Sequence, residues 1–292
     1  MAGTKMASKV PVIVFSEECT KPGTSSWAEA CKVMAQALED HGCFIVDHPG
    51  VPLGLHDSVL SVTENLFDLP PETKIKNTNF KPPLGSVDTA PGSPLIDGIE
   101  KLQECEKYTF LMWPSGNGHF WDYKAVHDYG KFIAEMEKVV FRMVCESYGV
   151  EKYYDPYIDS STYLLRFLKC KKPEGVEGSV NSIEHTDKSF LSYLHQNNIR
   201  GLEVRTKDGE WFTFNPSASN FMVMAGEACV AWSNGRIKAC DHGVAVKEES
   251  QVRYSLGTFS YVTGMIETPK EFIDEAHPQQ YKSFNHIDLL SY

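Results

Sequence analysis

Apolar residues recur at helical spacing in three segments of the first half of the chain. Such spacing predicts amphipathic helices that each bury one face. The segments are Trp27–Asp40, Leu55–Phe67 and Tyr129–Tyr148. We expect Ser25 or Ser26 to cap the start of the first helix and Gly42 to end it, because short hydroxyl side chains bind free backbone N–H groups and glycine accepts the left-handed conformation.

The pattern changes from Thr162 onward, where short β-rich runs alternate with turn sequences. Many short strands at this spacing predict an antiparallel sandwich or jelly roll. The predicted strands are Tyr163–Leu168, Phe190–His195, Leu202–Thr206, Trp211–Phe214, Phe221–Ala225, Ala228–Trp232, Gly243–Val246 and Tyr254–Tyr261. Two more are expected earlier, at Val10–Phe15 and Cys43–Val46. The expected fold class is mixed α/β (α+β), with the helices packed on a double-sheet β core.

Residues 77–100 are rich in Pro, Gly and Ser and show no clear period. Long irregular segments of compact domains are often functional. We therefore expect an ordered loop here that covers a site.

The composition limits the partners of this protein. The 292-residue chain is 42% hydrophobic and 23% charged, as in ordinary globular proteins, and its net charge is −11. Nucleic acids and anionic membranes select for clusters of Lys and Arg, so we expect neither as a partner. The sequence has no apolar run of about 18 residues and no apolar leader, so we expect no membrane span and a cytoplasmic location.

Cysteines are scattered through the sequence and form no C-x-x-C pair. In a chain long enough to build its own core, this pattern predicts reduced thiols rather than a disulfide framework. The eight are Cys19, Cys31, Cys43, Cys105, Cys145, Cys170, Cys229 and Cys240.

A short motif indicates a metal site. His185 and Asp187 are two residues apart, so on a strand their side chains would point to the same face. His242 follows Asp187 by 55 residues. Two histidines and one carboxylate on one face make the facial triad that holds Fe(II) and leaves positions open for ligands. H-x-D alone is a weak signal, because three-residue patterns arise by chance.

The next motif strengthens this interpretation. Arg253 follows His242 by eleven residues, and Ser255 lies two residues further on. A guanidinium grips a carboxylate with two parallel hydrogen bonds, and a serine hydroxyl adds another donor. The pair is therefore suited to hold the distal carboxylate of 2-oxoglutarate.

Motifs along nearly the whole chain complete a recognisable set. They are Ala37-Leu38-Glu39-Asp40-His41-Gly42-Cys43-Phe44, Leu66–Leu69 with Pro71, Glu146-Ser147-Tyr148-Gly149-Val150, His185-Thr186-Asp187, Gly201-Leu202-Glu203-Val204, Ser233-Asn234-Gly235, Arg253-x-Ser255, Glu271-Phe272-Ile273-Asp274 and His277-Pro278. With them the chain resembles the plant 2-oxoglutarate- and Fe(II)-dependent dioxygenases. Within that group it looks most similar to the glucosinolate side-chain dioxygenases, the auxin-oxidising dioxygenases and the steroidal-alkaloid hydroxylases.

The resemblance implies a double-stranded β-helix (jelly-roll) core with flanking N-terminal helices. It divides the chain into a helical N-terminal region at 1–155, the oxygenase core at 156–265 and a C-terminal segment at 266–292 packed on the core. It further implies Fe(II), 2-oxoglutarate as co-substrate, O₂, and ascorbate as reductant.

The resemblance also implies the residues of the site. The implied iron ligands and catalytic residues are His185, Asp187 and His242, and the implied 2-oxoglutarate clamp is Arg253 with Ser255. We expect Phe259, Tyr261 and Leu194 to line the substrate pocket at the open end of the jelly roll. Residues 77–102 are expected to form its lid.

Two departures from the family pattern affect the neighbourhood of the site. The usual Asn-Tyr-Tyr-Pro is matched here by Leu165-Arg166-Phe167-Leu168, so we expect Phe167 to replace a tyrosine hydroxyl that bonds 2-oxoglutarate and to weaken or alter that binding. The usual His-Arg-Val is His242-Gly243-Val244, which removes an arginine beside the metal site.

The expected activity is oxidation of a small specialised metabolite, such as an alkaloid, steroid or phenolic, with release of succinate and CO₂. Hydroxylation, O- or N-demethylation, desaturation and ring closure stay open, and we expect a monomer. Three alternatives also stay open: an oxidase of the same fold that does not use 2-oxoglutarate, a catalytically silent binding protein, and a zinc hydrolase with the same ligands. The hydrolase would have no role for Arg253.

Overall fold

The computed structural model describes residues 9–68, 104–112, 124–171, 180–181, 184–246 and 251–289, and at 104–112 and 180–181 the description covers the backbone. The helices are α1 (Ser25–His41), α2 (Leu55–Phe67), α3 (Lys124–Tyr148), α4 (Tyr154–Ser160), α5 (Glu227–Trp232) and α6 (His286–Leu289). The strands are β1 (Val12–Val14), β2 (Cys43–Asp47), β3 (Glu104–Met112), β4 (Ser161–Lys171), β5 (Val180–Asn181), β6 (Leu191–Gln196), β7 (Leu202–Arg205), β8 (Trp211–Thr213), β9 (Asn220–Ala225), β10 (His242–Val246), β11 (Val252–Val262), β12 (Met265–Ile266) and β13 (Phe284–Asn285).

Two sheets form the β core. A large sheet has seven strands in the order β1-β2-β9-β6-β11-β4-β3, and a small sheet has four in the order β5-β10-β7-β8. Apart from the parallel pair of β1 with β2, the described pairings of these two sheets are antiparallel. This confirms the expected α+β class with a double-sheet core.

The two faces of the large sheet have different neighbours. Its outer face packs against α1, α2 and α3 in the main hydrophobic core, to which Leu256 and Phe167 belong. Its inner face shares a second cluster with the small sheet, including Met222 and Val204. Because side chains alternate along a strand, each residue of β11 belongs to one face or the other. The inner face carries Arg253, Ser255, Gly257, Phe259 and Tyr261.

The ends of α1 confirm one expected signal and correct another. Gly42 adopts the left-handed conformation (φ 68°), and its N–H bonds to the carbonyl of Leu38, as expected for a helix end. The N-cap, however, is Thr24, whose Oγ1 accepts from the N–H of Trp27 at 3.0 Å. The expectation for Ser25 or Ser26 was wrong because both already lie inside the helix.

One predicted strand was wrong. Ala228–Trp232 belongs to the short helix α5, in which the N–H of Val230 bonds to the carbonyl of Gly226 at 3.2 Å. An apolar run of only five residues is too short for its spacing to separate helix from strand.

Four strands were not expected, namely β3 and the two-residue strands β5, β12 and β13, and β3 is the longest of them. β3 pairs with β4 along nine residues, from Glu104 opposite Lys171 to Met112 opposite Tyr163. The Pro- and Gly-rich sequence before it concealed its alternation. The predicted loop at 77–100 and the predicted lid at 77–102 lie outside the described residues.

The cysteine prediction holds for six residues and fails for one. Cys19, Cys31, Cys43, Cys145, Cys229 and Cys240 are free and buried. Cys170 is disulfide-bonded, which corrects the expectation of a reduced thiol. Its position explains the error, because the unexpected pairing of β3 with β4 places Cys105 directly opposite it.

None of the helices in the described part of the chain combines the length and apolar character that a membrane crossing requires.

Candidate functional site

Two histidines meet at the end of the small sheet where β10 begins, beside its pairing with β5. His185 and His242 form an isolated antiparallel bridge, with reciprocal backbone hydrogen bonds of 3.1 and 3.0 Å. The bridge brings their ring centroids to 4.3 Å. His185 and Asp187 do not lie on a regular strand as expected, because the chain leaves the sheet after the bridge.

Asp187 is positioned by a close contact with the start of α5. Its carbonyl accepts from the N–H of Glu227 at 2.8 Å. A Cβ on Gly226 would lie 2.1 Å from the carbonyl oxygen of Ser189 and 2.8 Å from that of Asp187. Only glycine fits at this approach, so Gly226 helps to hold the segment that carries the carboxylate.

The three side chains form one cluster that fits a divalent metal ion. Their candidate ligand atoms lie within 4.8 Å of one another. Nε2 of His185 is 4.0 Å from Oδ1 of Asp187, and Nε2 of His242 is 3.9 Å from Oδ2. His242 and Asp187 are largely buried, whereas half of the His185 side chain is exposed, so the cluster opens toward solvent on one side. Two imidazoles and one carboxylate suit Fe(II).

Hydrogen bonds around the cluster orient its members. Nδ1 of His242 lies 3.0 Å from the carbonyl oxygen of Cys240, which can only accept. Nδ1 therefore carries the proton and Nε2 is left with its lone pair toward the cluster. Burial lowers the pKa of His242, and this also favours the neutral ring that a metal requires.

The carboxylate has its own support. The hydroxyl of Ser192, on β6, donates to Oδ2 of Asp187 at 2.6 Å. The hydroxyl of Ser189 lies 2.7 Å from that of Ser192, and both serines are fully buried. These two serine hydroxyls restrain the orientation of the Asp187 carboxylate. No motif in the sequence predicted their role.

A buried cation lies on the same inner face. Arg253 is only 2% exposed, and its Nη2 and Nε donate to Oε1 of Gln196 at 2.7 and 3.3 Å. Its Nη1 donates to Oγ of Ser255 at 2.9 Å. Burial lowers the pKa of Arg253 to about 10, so it stays charged at neutral pH. A Cβ on Gly201 would lie 2.9 Å from Cδ of Arg253, so glycine makes room for it.

The partners of Arg253 in the described part of the chain are neutral. A buried charge with no opposite charge is costly, because its lost hydration is not replaced. The arrangement therefore favours binding of an anionic group at Arg253, and β6 carries both Gln196, its partner, and Ser192, the partner of Asp187.

The three predicted wall residues lie together. Phe259, Tyr261 and Leu164 form a small buried cluster, against which Leu194 and Ile287 pack. The cluster lies on the inner face beyond Ser255, because Phe259 pairs with Leu164 on one side and with Ser192 on the other. Leu164 and Ile287 were missed by sequence reasoning, since the register of β4 and the fold of the C-terminal segment were not known.

The expectation for Phe167 was wrong. Leu168 lies opposite Ser255 and Cys170 lies opposite Arg253, so these residues of β4 share the inner face. Phe167 lies between them, points to the other side and is fully buried in the helical core. A shift of one residue in an alignment reverses the face on which a strand residue lies.

Comparison with known proteins gives a consistent result. The model of the 2OG-Fe(II) oxygenase superfamily matches residues 151–261, and the model described as non-haem dioxygenase in morphine synthesis N-terminal matches residues 10–122. The chain is 35% identical to a probable 2-oxoglutarate-dependent dioxygenase, AOP1.2, of Arabidopsis thaliana, over 97% of this chain and 90% of the relative.

Solved structures agree with the sequence comparison. The dioxygenase for auxin oxidation of rice superposes with a TM-score of 0.77 at 25% identity, over 96% of this chain and 92% of that chain. The dioxygenase for auxin oxidation 1 of Arabidopsis thaliana, in its complex with 2-oxoglutarate, also gives 0.77, at 28% identity, over 92% of this chain and 99% of that chain.

Proposed function

The chain belongs to the 2-oxoglutarate- and Fe(II)-dependent dioxygenases, and on that premise we propose that it oxidises a small, amphipathic specialised metabolite at the His–Asp–His cluster. The proposed iron ligands are His185, Asp187 and His242. The proposed 2-oxoglutarate clamp is Arg253 with Ser255. Bound Fe(II) would supply the activation of O₂ and its coupling to the decarboxylation of 2-oxoglutarate to succinate and CO₂.

The observation that carries this proposal is the buried charge of Arg253. Its partners in the described part of the chain are the neutral side chains of Gln196 and Ser255. A carboxylate of 2-oxoglutarate would compensate that charge with paired hydrogen bonds. A zinc hydrolase would leave the cation uncompensated, so the arrangement favours the oxygenase.

The protein supplies positions and an environment for the reaction. Ser192 orients the carboxylate of Asp187, and the bond from His242 to the Cys240 carbonyl fixes the ring nitrogen that faces the metal. Phe259 and Tyr261 make an apolar wall that excludes water and contacts the substrate. The carbon that this wall presents to the iron decides between hydroxylation, demethylation, desaturation and ring closure.

The substrate class rests on the apolar wall and on the relatives. Two proteins of similar structure are dioxygenases for auxin oxidation. We propose a small organic molecule as the substrate of this chain. The monomeric state, the cytoplasmic location, the three domain ranges and the use of ascorbate stay predictions.

The direct test is Fe(II)-dependent conversion of 2-oxoglutarate to succinate by the purified protein. We expect Arg253→Gln to raise the KM for 2-oxoglutarate by about a hundredfold, because two charge-assisted hydrogen bonds are lost. Arg200→Gln is the matched control, since Arg200 is exposed and bonds only to Asn215 among the described residues.

An unchanged KM in Arg253→Gln would contradict the proposal. Substrate oxidation without 2-oxoglutarate consumption would favour the oxidase of the same fold. Folded protein that binds 2-oxoglutarate but forms no succinate with any added metabolite would favour the binding protein.

A further inference from the structure

The last described residues of the chain return to the apolar wall of the site. Residues 284–289 make up this terminal segment, which contains β13 and α6, and β13 pairs with β12 just beyond the end of β11. Ile287 of the terminal segment packs against the cluster of Phe259, Tyr261 and Leu164. The terminal segment therefore contributes to the wall that we assign to the substrate.

His286 holds the terminal segment in place from a fully buried position. Its Nδ1 accepts from the N–H of Val262 at 3.0 Å, and its Nε2 lies 2.9 Å from the carbonyl oxygen of Lys188. Because Nδ1 accepts, the proton of the neutral ring lies on Nε2, which donates to that carbonyl. Burial lowers the pKa of His286 to about 4, in agreement with a neutral ring that makes both bonds.

Both residues that His286 bonds are next to a residue of the proposed site. Lys188 directly follows Asp187, a proposed iron ligand, and Val262 directly follows Tyr261 of the wall. The ring of His286 also contacts the ring of Tyr261, with 5.0 Å between the centroids. One rigid side chain therefore connects the metal-binding loop with the wall.

The loop that follows Asp187 is held by backbone bonds on either side of Lys188. The carbonyl of Asp187 accepts from the N–H of Glu227 in α5 at 2.8 Å, and the N–H of Phe190 donates to a carbonyl of β11 at 2.8 Å. The bond from His286 restrains the carbonyl between these two points. Losing that bond would release the peptide beside the Asp187 carboxylate.

We propose that His286 is a positioning residue that couples the apolar wall to the proposed iron ligand Asp187. The inference rests on the proposed function and adds the terminal segment to its site. A displacement of Tyr261 moves His286, and the bond to Lys188 transmits the movement to the metal-binding loop. A substrate that packs on the wall thereby changes the orientation of a metal ligand.

Substitutions of His286 test its bond to Lys188. His286→Phe keeps the ring contact with Tyr261 but loses both hydrogen bonds, so its Fe(II) affinity should fall by about tenfold, as is typical when a group that orients a ligand is removed. His286→Gln, whose amide nitrogen reaches the position of Nε2, should stay within about threefold of the wild type. His286→Asn is too short for this bond and should resemble His286→Phe. Anaerobic Fe(II) titrations measure all three.

The pair of amide variants gives the same comparison if His286→Phe does not fold. Glutamine and asparagine are both neutral and polar, and they differ in whether the side chain reaches Lys188. A folded His286→Phe with wild-type Fe(II) affinity would overturn the proposal, and so would equal affinities of the glutamine and asparagine variants.

Asn234→Gly is the matched control for the loss of buried hydrogen bonds. Nδ2 of Asn234 donates to the carbonyls of Phe272 and Pro278 at 3.1 and 3.2 Å, both outside the loop of Asp187. The positive φ of Asn234 (54°) is one that glycine adopts readily. The control should lose stability and keep its Fe(II) affinity. Equal weakening of Fe(II) binding in His286→Phe and Asn234→Gly would mean that lost stability explains the effect, and the positioning role would be wrong.

Hydrogen exchange tests the positioning in metal-free protein. The amide of Glu227 bonds the carbonyl of Asp187, so its exchange reports opening of the metal-binding loop. In His286→Phe this amide should exchange about tenfold faster relative to the amide of Leu165, in the interior of the large sheet, and His286→Gln should restore most of the protection. An unchanged ratio in His286→Phe would show that His286 does not restrain the loop.

A double-mutant cycle tests the coupling to the wall. Tyr261→Leu removes the ring that His286 contacts and should weaken Fe(II) binding by about threefold in the wild-type background. In the His286→Phe background the same change should have no further effect, because the connection to Lys188 is already lost. Equal effects of Tyr261→Leu in both backgrounds would refute the coupling, since Tyr261 would then act on the metal site by another route.

Succinate formation by the same samples separates this inference from the proposed function. A wild type that binds Fe(II), loses affinity in His286→Phe and never converts 2-oxoglutarate to succinate would refute the proposed function and retain the role of His286. A wild type that forms succinate, with an Fe(II) affinity equal to that of His286→Phe, would refute the role of His286 alone.

Discussion

Buried ionisable groups lie against both faces of β11, and they respond to burial in opposite ways. On the inner face, Arg253 keeps its charge because a guanidinium does not readily lose its proton. On the outer face, Ser260 lies 3.2 Å from the hydroxyl of Tyr157, which donates to the buried carboxyl of Glu137 at 2.5 Å. Burial raises the pKa of Glu137 to about 7. This carboxyl group therefore reduces the free-energy penalty of burying a charge by binding a proton.

This difference separates a ligand site from a structural network. Both faces are buried and both contain ionisable groups, so burial alone identifies neither. The inner face retains a charge that a ligand can balance, whereas the outer face is arranged around its own hydrogen bonds. Substitutions on the inner face should therefore change binding and turnover, and those on the outer face should change stability.

The largest effect is expected from Asp187→Ala. It removes one of the three proposed iron ligands, so Fe(II)-dependent turnover should fall by about a thousandfold or more, since the ion loses both geometry and charge neutralisation. Succinate formation measures this loss. Asp241→Ala, which alters the neighbouring acid of His242, is the control and should retain most turnover. Comparable losses in both variants would contradict the assignment.

Glu137→Gln should change the pH dependence of stability without changing the site. The native state holds a proton on Glu137 that the unfolded state loses above its ordinary pKa of 4.5. The free energy of unfolding of the wild type should therefore fall as pH rises from 4.5 to about 7, by roughly 2–3 kcal/mol from this group. Because glutamine does not titrate, the free energy of unfolding of Glu137→Gln should increase relative to that of the wild type as pH rises through this range.

Urea unfolding at pH 4.5 and pH 8 measures this difference. Fe(II) affinity at pH 7 should stay within about twofold of the wild type, because Glu137 lies on the outer face. A difference in stability that is the same at both pH values would show that Glu137 does not hold the proton.

A histidine pair on the outer face should give the opposite pH dependence. Nδ1 of His56 lies 3.0 Å from Nε2 of His195. Burial, and then the charge of His56, lower the pKa of His195 to about 3, and burial lowers the pKa of His56. A depressed histidine pKa means that its contribution is present above the ordinary value of 6.5 and is lost as pH falls below it.

His195→Gln should therefore lose less stability than the wild type between pH 7 and pH 5, by about 2 kcal/mol. Chemical unfolding at the two pH values gives the comparison. Arg200→Gln, at an exposed position that bonds the neutral side chain of Asn215, is the control and should follow the wild type. Equal acid sensitivity of wild type and His195→Gln would refute the role of the pair.

The smallest effect is expected from two serines on the two faces. Ser192→Ala removes the hydrogen bond to Asp187 and should weaken Fe(II) binding by about tenfold, as is typical when a group that orients a ligand is removed. Ser260→Ala should leave Fe(II) binding unchanged and lower stability by about 1 kcal/mol, because Ser260 bonds Leu191 and Tyr157. Fe(II) titrations and melting curves measure both. If Ser192→Ala and Ser260→Ala changed the Fe(II) affinity equally, the proposed difference between the two faces would be wrong.

The elements with a strong period were predictable. The bounds of α2 match the predicted Leu55–Phe67, because its apolar residues repeat at helical spacing. The end of α1 was predictable because Gly42 takes the left-handed backbone conformation, which depends on the local residue type. Ala228–Trp232 and β3 were not predictable in the same way. The first is a short apolar run without a clear period, and the second is an edge strand that depends on its partner.

The site was predictable where chemistry restricts residue type. The structure brings His185, Asp187 and His242 together as the motif anticipates, and Arg253 beside Ser255. The roles of Ser192 and Cys170 depend on strand register, which sequence spacing does not reveal. The error at Phe167 has the same origin.

We propose that Fe(II) and 2-oxoglutarate bind together at the inner face of the large sheet. Anaerobic addition of both to the protein should give the weak visible charge-transfer band of the iron–2-oxoglutarate chelate. The band should be absent in His185→Ala and should require far more 2-oxoglutarate in Arg253→Gln. A folded wild-type protein that gives no band would contradict the account.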